Sequence, residues 1–368
     1  MRSAVLTAAY RHWLRPGLFR AYGADPERVH EAVIRALGVL GATPAAAVMK
    51  LLAGAPASPV RVAGVWFPGR VGVAAGLDKD GVAARSWAPL GFGFAELGTV
   101  TASAQPGNPR PRVFRLADSR ALINRMGFNN LGANALAHRL AAWGVRRGEN
   151  TLGLPLGVSI GKTRTVPLDQ AAADYVQSLT AVHRYADYVA VNVSSPNTAG
   201  LRHLQDKGLL ADLVAALVAA AASLDPVPVP IFVKVAPDLS DEELDGTLEA
   251  SLGAGAAGFV AANTTLARTG LRPPDQRYAR QSGGLSGAPL TRRSREVVAR
   301  TVRAGLPVIA SGGIMSPGDA EAMLDLGAAA VQVFTGFIFS GPGLVAGINA
   351  RCAVAREPSR GGSADDLF

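Results

Sequence analysis

Eight short apolar runs recur between residues 71 and 334, and stretches of helical periodicity lie between most of them. They read Val71-Gly-Val-Ala-Ala75, Phe94-Ala-Glu-Leu-Gly98, Pro155-Leu-Gly-Val-Ser-Ile160, Tyr188-Val-Ala-Val-Asn-Val193, Pro230-Ile-Phe-Val-Lys-Val235, Gly258-Phe-Val-Ala-Ala262, Pro307-Val-Ile-Ala310 and Ala330-Val-Gln-Val-Phe334. Runs of this length fit strands buried on both faces, and helical connections such as 291–304 and 317–326 bring successive strands parallel. Eight such units favour a closed (β/α)8 barrel over the competing doubly wound open sheet. The longer interval from 98 to 155 carries an inserted segment that includes Arg112-Val-Phe-Arg115 and Leu122-Ile-Asn124.

The first fifty residues follow a different pattern. Residues 3–14 place Leu6, Ala9 or Tyr10, and Trp13 on one helical face among Arg2, Arg11, His12 and Arg15. Asp25-Pro26 reads as an N-cap with proline at the first helical position, and an apolar stripe runs from Val29 to Leu40 before Gly41. Thr43-Pro44 opens a third helix with Val48, Leu51 and Leu52. The expected organisation is a helical segment over 1–55, a barrel over 60–355 and a disordered Gly/Ser/Asp-rich tail over 356–368. The helices read either as a cap packed on the barrel or as an interfacial anchor, with Trp and Leu at the headgroup boundary and Arg against anionic lipid.

Composition narrows the function. The 368 residues carry a net charge of +9, but no basic run is interleaved with aromatics, so nucleic acid is not an expected partner. The 37 basic residues include only five lysines, at 50, 79, 162, 207 and 234, which marks each lysine as a place where an amine itself could matter. A single cysteine, Cys352, excludes an intramolecular disulfide and any Cys-based metal cluster, and fits a reducing compartment. No uninterrupted apolar stretch reaches the roughly 18 residues of a membrane span. Arg11, His12 and Arg15 break the N-terminal run before any signal-peptide pattern. No His-x-Glu pair or carboxylate cluster suggests a metal.

Chemistry in such a barrel collects at the carboxyl ends of the strands. Here those ends read Ala75-Gly-Leu-Asp-Lys79, Gly98-Thr99, Ser159-Ile-Gly-Lys162, Asn192-Val-Ser-Ser-Pro-Asn197, Lys234, Asn263-Thr264, Ser311-Gly-Gly313 and Thr335-Gly336. Nearly every one supplies an amide, hydroxyl, amine or glycine. Glycines after the seventh and eighth strands suit a phosphate held by backbone N–H groups. Asn124, Asn192, Asn197 and Asn263 suit a flat heterocycle bearing imide and carboxylate groups, with Lys79 and Lys234 as positive charge. Other patterns lack their context. Gly253-Ala-Gly-Ala-Ala-Gly258 follows a helix and precedes a strand, the reverse of a dinucleotide fingerprint, and Leu156 stands where a P-loop before Gly161-Lys162-Thr163 needs glycine.

Seven stretches together resemble the quinone-dependent, class 2 form of dihydroorotate dehydrogenase. They are Ala74-Ala-Gly-Leu-Asp-Lys-Asp-Gly81, Ile123-Asn-Arg-Met-Gly-Phe-Asn-Asn130, Asn192-Val-Ser-Ser-Pro-Asn-Thr198, Val233-Lys-Val-Ala-Pro-Asp238, Asn263-Thr-Thr265, Gly283-Gly-Leu-Ser-Gly287 and Thr335-Gly-Phe-Ile-Phe339. The resemblance covers roughly residues 25–350. It implies an FMN-containing barrel that oxidises dihydroorotate to orotate in pyrimidine synthesis and passes the electrons to a membrane quinone. By motif, Ser195 would be the catalytic base. Lys79, Asn124, Asn192, Asn197, Asn263 and Thr264 would bind substrate. Ala75, Gly76, Thr99, Asn124, Ser159, Asn192, Lys234, Gly287, Gly313, Phe334 and Thr335 would bind FMN. His30 and Arg115 would line the quinone site.

The resemblance further implies peripheral contact with the cytoplasmic side of the cell membrane; a monomer is expected. Serine is a weak base at its free pKa, so Ser195 needs a relay, a water or a developing positive neighbour to take its proton, and Thr198 is a candidate for the relay. Soluble-acceptor forms usually carry cysteine at the base position, whereas the one cysteine here is Cys352. The chain departs from the family at Ser159, where Asn is common, at Ala262, where Thr is expected, and at Phe334, where Tyr is frequent. The competing functions are another flavin barrel reductase driven by a nicotinamide, and a non-catalytic phosphate-ligand or membrane-binding barrel.

Overall fold

The computed structural model describes residues 2–195, 197, 201, 204 and 206–354; Thr198 and the expected tail over 356–368 lie outside the described residues. Parallel strands at Val71–Val73, Phe94–Val100, Leu156–Ile160, Tyr188–Val191, Ile231–Val235, Gly258–Ala261, Val308–Ser311 and Ala330–Val333 close into one barrel in chain order. Each coincides with one of the eight apolar runs. Closure comes from the last strand pairing with the first, Val331 opposite Val71 and Val333 opposite Val73. That pairing removes both sheet edges and excludes the open alternative.

The amino-terminal end of the barrel is plugged. A hairpin of Val60–Val62 and Val65–Phe67 sends Val62 and Phe67 into an inner cluster with Phe94, Tyr188, Phe232 and Ile309. Phe67 stacks on Phe94 at 4.4 Å between centroids. Small residues make room for these rings: a Cβ on Gly72, Gly157 or Gly258 would come within 2.3, 2.1 or 2.3 Å of Phe94, Tyr188 or Phe232 on the adjacent strand. Each large side chain buried there contributes about 1.5–3 kcal/mol, so the plugged end is an anchor and the opposite end is free for a site.

Two additions cover that opposite end. The inserted segment forms a hairpin, Val113–Leu116 with Ala121–Asn124, and Gly284–Gly287 adds a third antiparallel strand. The second addition is the N-terminal extension. Its first helix runs as Arg2–Ala9, a wide π turn at Tyr10–Leu14, and Arg15–Arg20. The π turn inserts a residue and rotates the helical face. Trp13, expected on the face of Leu6, is consequently 84% exposed, while the Tyr10 hydroxyl donates to the Ile338 carbonyl at 2.7 Å.

The next helix, Pro26–Leu40, is capped by Asp25, whose Oδ1 accepts from the amides of Glu27 and Arg28 at 2.9 and 3.2 Å. It meets Ala45–Ala53 at 106°, and Val39, Leu40, Val48, Leu51 and Leu52 are exposed around the bend. Glu27 ties this arm to the inserted segment. Arg112 donates to it three times, from Nε at 3.0 and 3.2 Å and from Nη2 at 2.7 Å, and both side chains are nearly fully buried. Among the described residues one helix, Lys207–Leu224, is long and apolar enough to cross a bilayer. It serves as the crossover between the fourth and fifth barrel strands, with Leu210, Leu213, Val214 and Leu217 buried.

Candidate active site

The carboxyl ends of the strands open into a cavity of about 540 Å³ that continues between the N-terminal helices. The proposed substrate, cofactor and quinone residues all line it, with one exception. Ser159 is fully buried beneath the cavity and shares a 2.9 Å hydrogen bond with the Thr99 hydroxyl. Its short side chain stops at Thr99, so any influence on a ligand passes through that hydroxyl.

Four amides converge above Thr99. Asn192 Nδ2 donates to Thr99 Oγ1 at 3.0 Å, and Asn263 Nδ2 donates to Asn192 Oδ1 at 3.1 Å and to Ser194 Oγ at 2.9 Å. Across the cavity Asn197 Nδ2 donates to Asn124 Oδ1 at 3.2 Å. Asn197 Oδ1 is buried without a donor, a free acceptor at the wall. Thr264 follows Asn263 at the rim, its amide bonded to Asn263 Oδ1 at 2.8 Å. The strand ends and the inserted hairpin therefore deliver two facing amide pairs, Asn192 with Asn263 and Asn124 with Asn197, and Asn197 keeps an acceptor free.

Ser195 lies just beyond the fourth strand, almost fully buried, and its Oγ accepts from the Asn197 amide at 3.3 Å. Among the described residues no carboxylate or imidazole bonds this hydroxyl. Lys79 reaches the same space from the loop after the first strand. Burial, reinforced by Arg112, lowers its pKa to about 8 against opposition from Glu27 and the acids at 80 and 31. Its side chain lines the cavity.

At the helical end His30 faces the cavity; burial and then the nearby Lys79 push its pKa down to about 3, leaving a neutral imidazole. Arg115 donates to the Phe19 carbonyl at 3.1 Å and stacks over the Phe19 ring at 3.9 Å. Leu14, Leu18, Val29 and Val33 complete an apolar passage. A flat apolar molecule fits there, with a histidine and an arginine as polar handles.

At the end of the barrel where a phosphate is expected, the glycines do two things. A Cβ on Gly313, which holds φ +71°, would lie 2.3 Å from Thr291 Cα, and one on Gly287 would lie 2.3 Å from the Arg120 carbonyl. Packing of the chain on itself thus requires glycine at both positions. The amides of Gly312 and Gly313 make no hydrogen bond among the described residues, and the first turn of Thr335–Ser340 leaves its N–H groups free. Ser286 and Thr335 share a 2.8 Å hydroxyl contact beside them. Phe334, Ala75, Gly76 and Ala262 line the adjoining wall, and Lys234 and Gln332 the floor. Gln332 Oε1 is a buried acceptor without a donor. Free amides for a phosphate, a lysine and an orphan carbonyl for a polar ring edge, and apolar walls fit a flavin mononucleotide.

Sequence reasoning overlooked Glu27, Arg112, Glu96 and Gln332. The last two sit singly inside apolar runs, and that interruption was the available signal.

Comparisons with known proteins follow the same lines. A family model described as dihydroorotate dehydrogenase matches residues 58–353. A dihydroorotate dehydrogenase (quinone) of Salinispora arenicola is 52% identical over 349 residues, covering 94% of this chain and 98% of the relative. One from Chloroflexus aurantiacus is 46% identical over 356 residues, covering 92% and 95%. Among solved structures, ligand-free DHODH from Eimeria tenella superposes with a TM-score of 0.80 at 36% identity, covering 89% of this chain and 93% of that one. The same organism's protein in complex with ferulenol gives 0.78 at 34% identity, covering 89% and 90%.

Proposed function

This chain belongs to the dihydroorotate dehydrogenase family, and we propose that its cavity is divided between the two halves of a quinone-linked reaction. The enzyme oxidises dihydroorotate to orotate and passes the electrons to a quinone. The family is flavin-dependent. The observation that carries the division is the continuity of one cavity from a cluster of side-chain amides to an apolar passage between the helices.

In this reading the cofactor is FMN, held by the free amides after the seventh strand, by Thr335 and by Lys234. When bound, FMN supplies the two-electron acceptor for the hydride. The protein's own groups do the rest. Lys79 binds the substrate carboxylate. Asn124, Asn192, Asn197 and Asn263 orient the ring, and the unfilled Oδ1 of Asn197 accepts a ring N–H. Ser195 Oγ takes the C5 proton as the hydride leaves C6 while its own hydroxyl proton passes on to a relay group or water, and the Asn197 backbone N–H at 3.3 Å fixes the position of that oxygen. Amide walls exclude water from the reacting carbon.

Quinone enters between the helices, past His30 and Arg115. Exposed Trp13, Leu14, Leu51 and Leu52, with Arg11 and Arg15 nearby, support peripheral docking on the cytoplasmic face of the membrane. The protein functions as a monomer in this reading. Identification of the bound cofactor by mass after heat release tests the assignment. FMN with orotate formed in equal amount supports it, and a protein purified without flavin contradicts it.

A further inference from the structure

A carboxylate sits where a barrel interior is ordinarily apolar. Glu96, in the middle of the second barrel strand, is 0% exposed. Its Oε2 accepts from Gln332 Nε2 at 2.6 Å and from the Tyr188 hydroxyl at 3.2 Å. Its Oε1 lies 3.5 Å from Lys234 Nζ and takes no hydrogen bond. The second, fourth, fifth and eighth strands thus each commit a polar side chain to one buried cluster.

Such a cluster is an expensive way to fill space. Taking an ion pair out of water costs several kcal/mol per ion, and apolar residues of equal volume commonly serve as well or better for stability. Two donors therefore meet one carboxylate oxygen, and the Lys234 ammonium faces the other across an ion pair. Burial and the adjacent Glu96 charge raise the Tyr188 pKa well above its ordinary value, so this hydroxyl remains a donor. Lys234 and Gln332 line the cavity and Glu96 does not, so Glu96 reaches a bound ligand only through them.

We propose that Glu96 is a positioning residue for the flavin: it fixes Lys234 Nζ at the cavity floor and presents the ring with an ion pair instead of a bare ammonium. This rests on the reading of Lys234 as a flavin contact. An unopposed ammonium would favour the negative charge that reduction adds to the ring. Glu96 therefore holds the flavin potential down and helps electrons move on to quinone.

The test is an anaerobic redox titration of the purified holoenzyme at pH 6, beside E96Q and Y188F. Loss of the Glu96 charge is expected to raise the midpoint potential by at least a tenfold change in the reduction equilibrium, about 30 mV for a two-electron couple. Y188F removes a donor but keeps the carboxylate, and its equilibrium should stay within twofold of wild type. An E96Q change below twofold, a lowered potential, or an equal rise in Y188F would overturn the proposal. Should E96Q fail to fold or to keep its flavin, the reduction-induced infrared difference spectrum of the wild-type enzyme decides. A perturbed ionised-carboxylate band supports the proposal; a protonated carboxyl band, or no carboxylate band at all, overturns it. Wild-type protein without flavin would instead sink the reading of the site itself.

Discussion

Replacing Arg112 with methionine should loosen the Pro26–Leu40 helix, on the proposed quinone side, while leaving the barrel strands intact. Arg112 meets Glu27 through contacts of 2.7, 3.0 and 3.2 Å, with side-chain exposures of 7% and 4%. Removing one partner of a buried pair leaves the other charge stranded, at a cost of about 3–5 kcal/mol. Arg110 offsets part of it, since its Nη2 lies 3.1 Å from Glu27, but that side chain is 49% exposed and its contact is worth less than about 1 kcal/mol. The net loss from the pair is about 2–4 kcal/mol and falls on Pro26–Leu40, while the loop whose Pro106 and Asn108 carbonyls accept from Arg112 Nη1 loosens with it. Hydrogen exchange read by peptide mass spectrometry should find that helix exchanging about 30- to 1,000-fold faster, at roughly 1.4 kcal/mol per tenfold. Peptides from the barrel strands should be unchanged. Because the helix carries His30, the KM for quinone should rise with it. Adding E27Q to R112M should restore part of the protection. Acceleration below threefold, or equal acceleration in the barrel, would refute the idea that this pair clamps the arm.

Ser195→Ala should slow anaerobic flavin reduction by dihydroorotate about 10²- to 10⁴-fold while reoxidation by quinone keeps its rate, and a near wild-type reduction rate across pH would move the base elsewhere. The Lys79 pKa near 8 gives a pH dependence of definite sign: the ammonium is present below that value and lost above it. The kcat/KM for dihydroorotate should therefore carry a limb that falls about tenfold per unit above pH 8, a limb missing from the quinone kcat/KM. Trp13→Glu combined with Leu51→Glu should weaken flotation with anionic liposomes at least tenfold and leave activity with a soluble short-chain quinone intact. Equal loss in both assays would place these residues in the protein's packing instead.

Most of the architecture was legible because each barrel strand is a separate buried run, and burial on both faces leaves a continuous apolar signature. What escaped reading was short or non-local. Val60–Val62 and Val65–Phe67 are too brief for a period to register, and Gly284–Gly287 becomes a strand only because Ala121–Asn124 offers it an edge. The π turn at Tyr10–Leu14 left no mark in composition, which is why Trp13 was expected on the wrong face. In the site, the polar strand ends announced themselves as a set. Their wiring did not. That Ser159 stops at Thr99 instead of reaching the cavity follows from side-chain length and depth together, and depth is not written in the sequence. Glu96 stayed hidden because one acid in Phe94-Ala-Glu-Leu-Gly98 reads like a surface position until the barrel closes around it.

The central claim is that one cavity joins a dihydroorotate half-reaction to a quinone half-reaction, and sequential rapid mixing tests it on a single sample. Anaerobic dihydroorotate should bleach the flavin of the purified enzyme, and quinone mixed next should restore the full absorbance at a rate that rises with quinone concentration. Bleaching that is faster with NADPH than with dihydroorotate, or a reduced flavin that quinone leaves untouched, would contradict it.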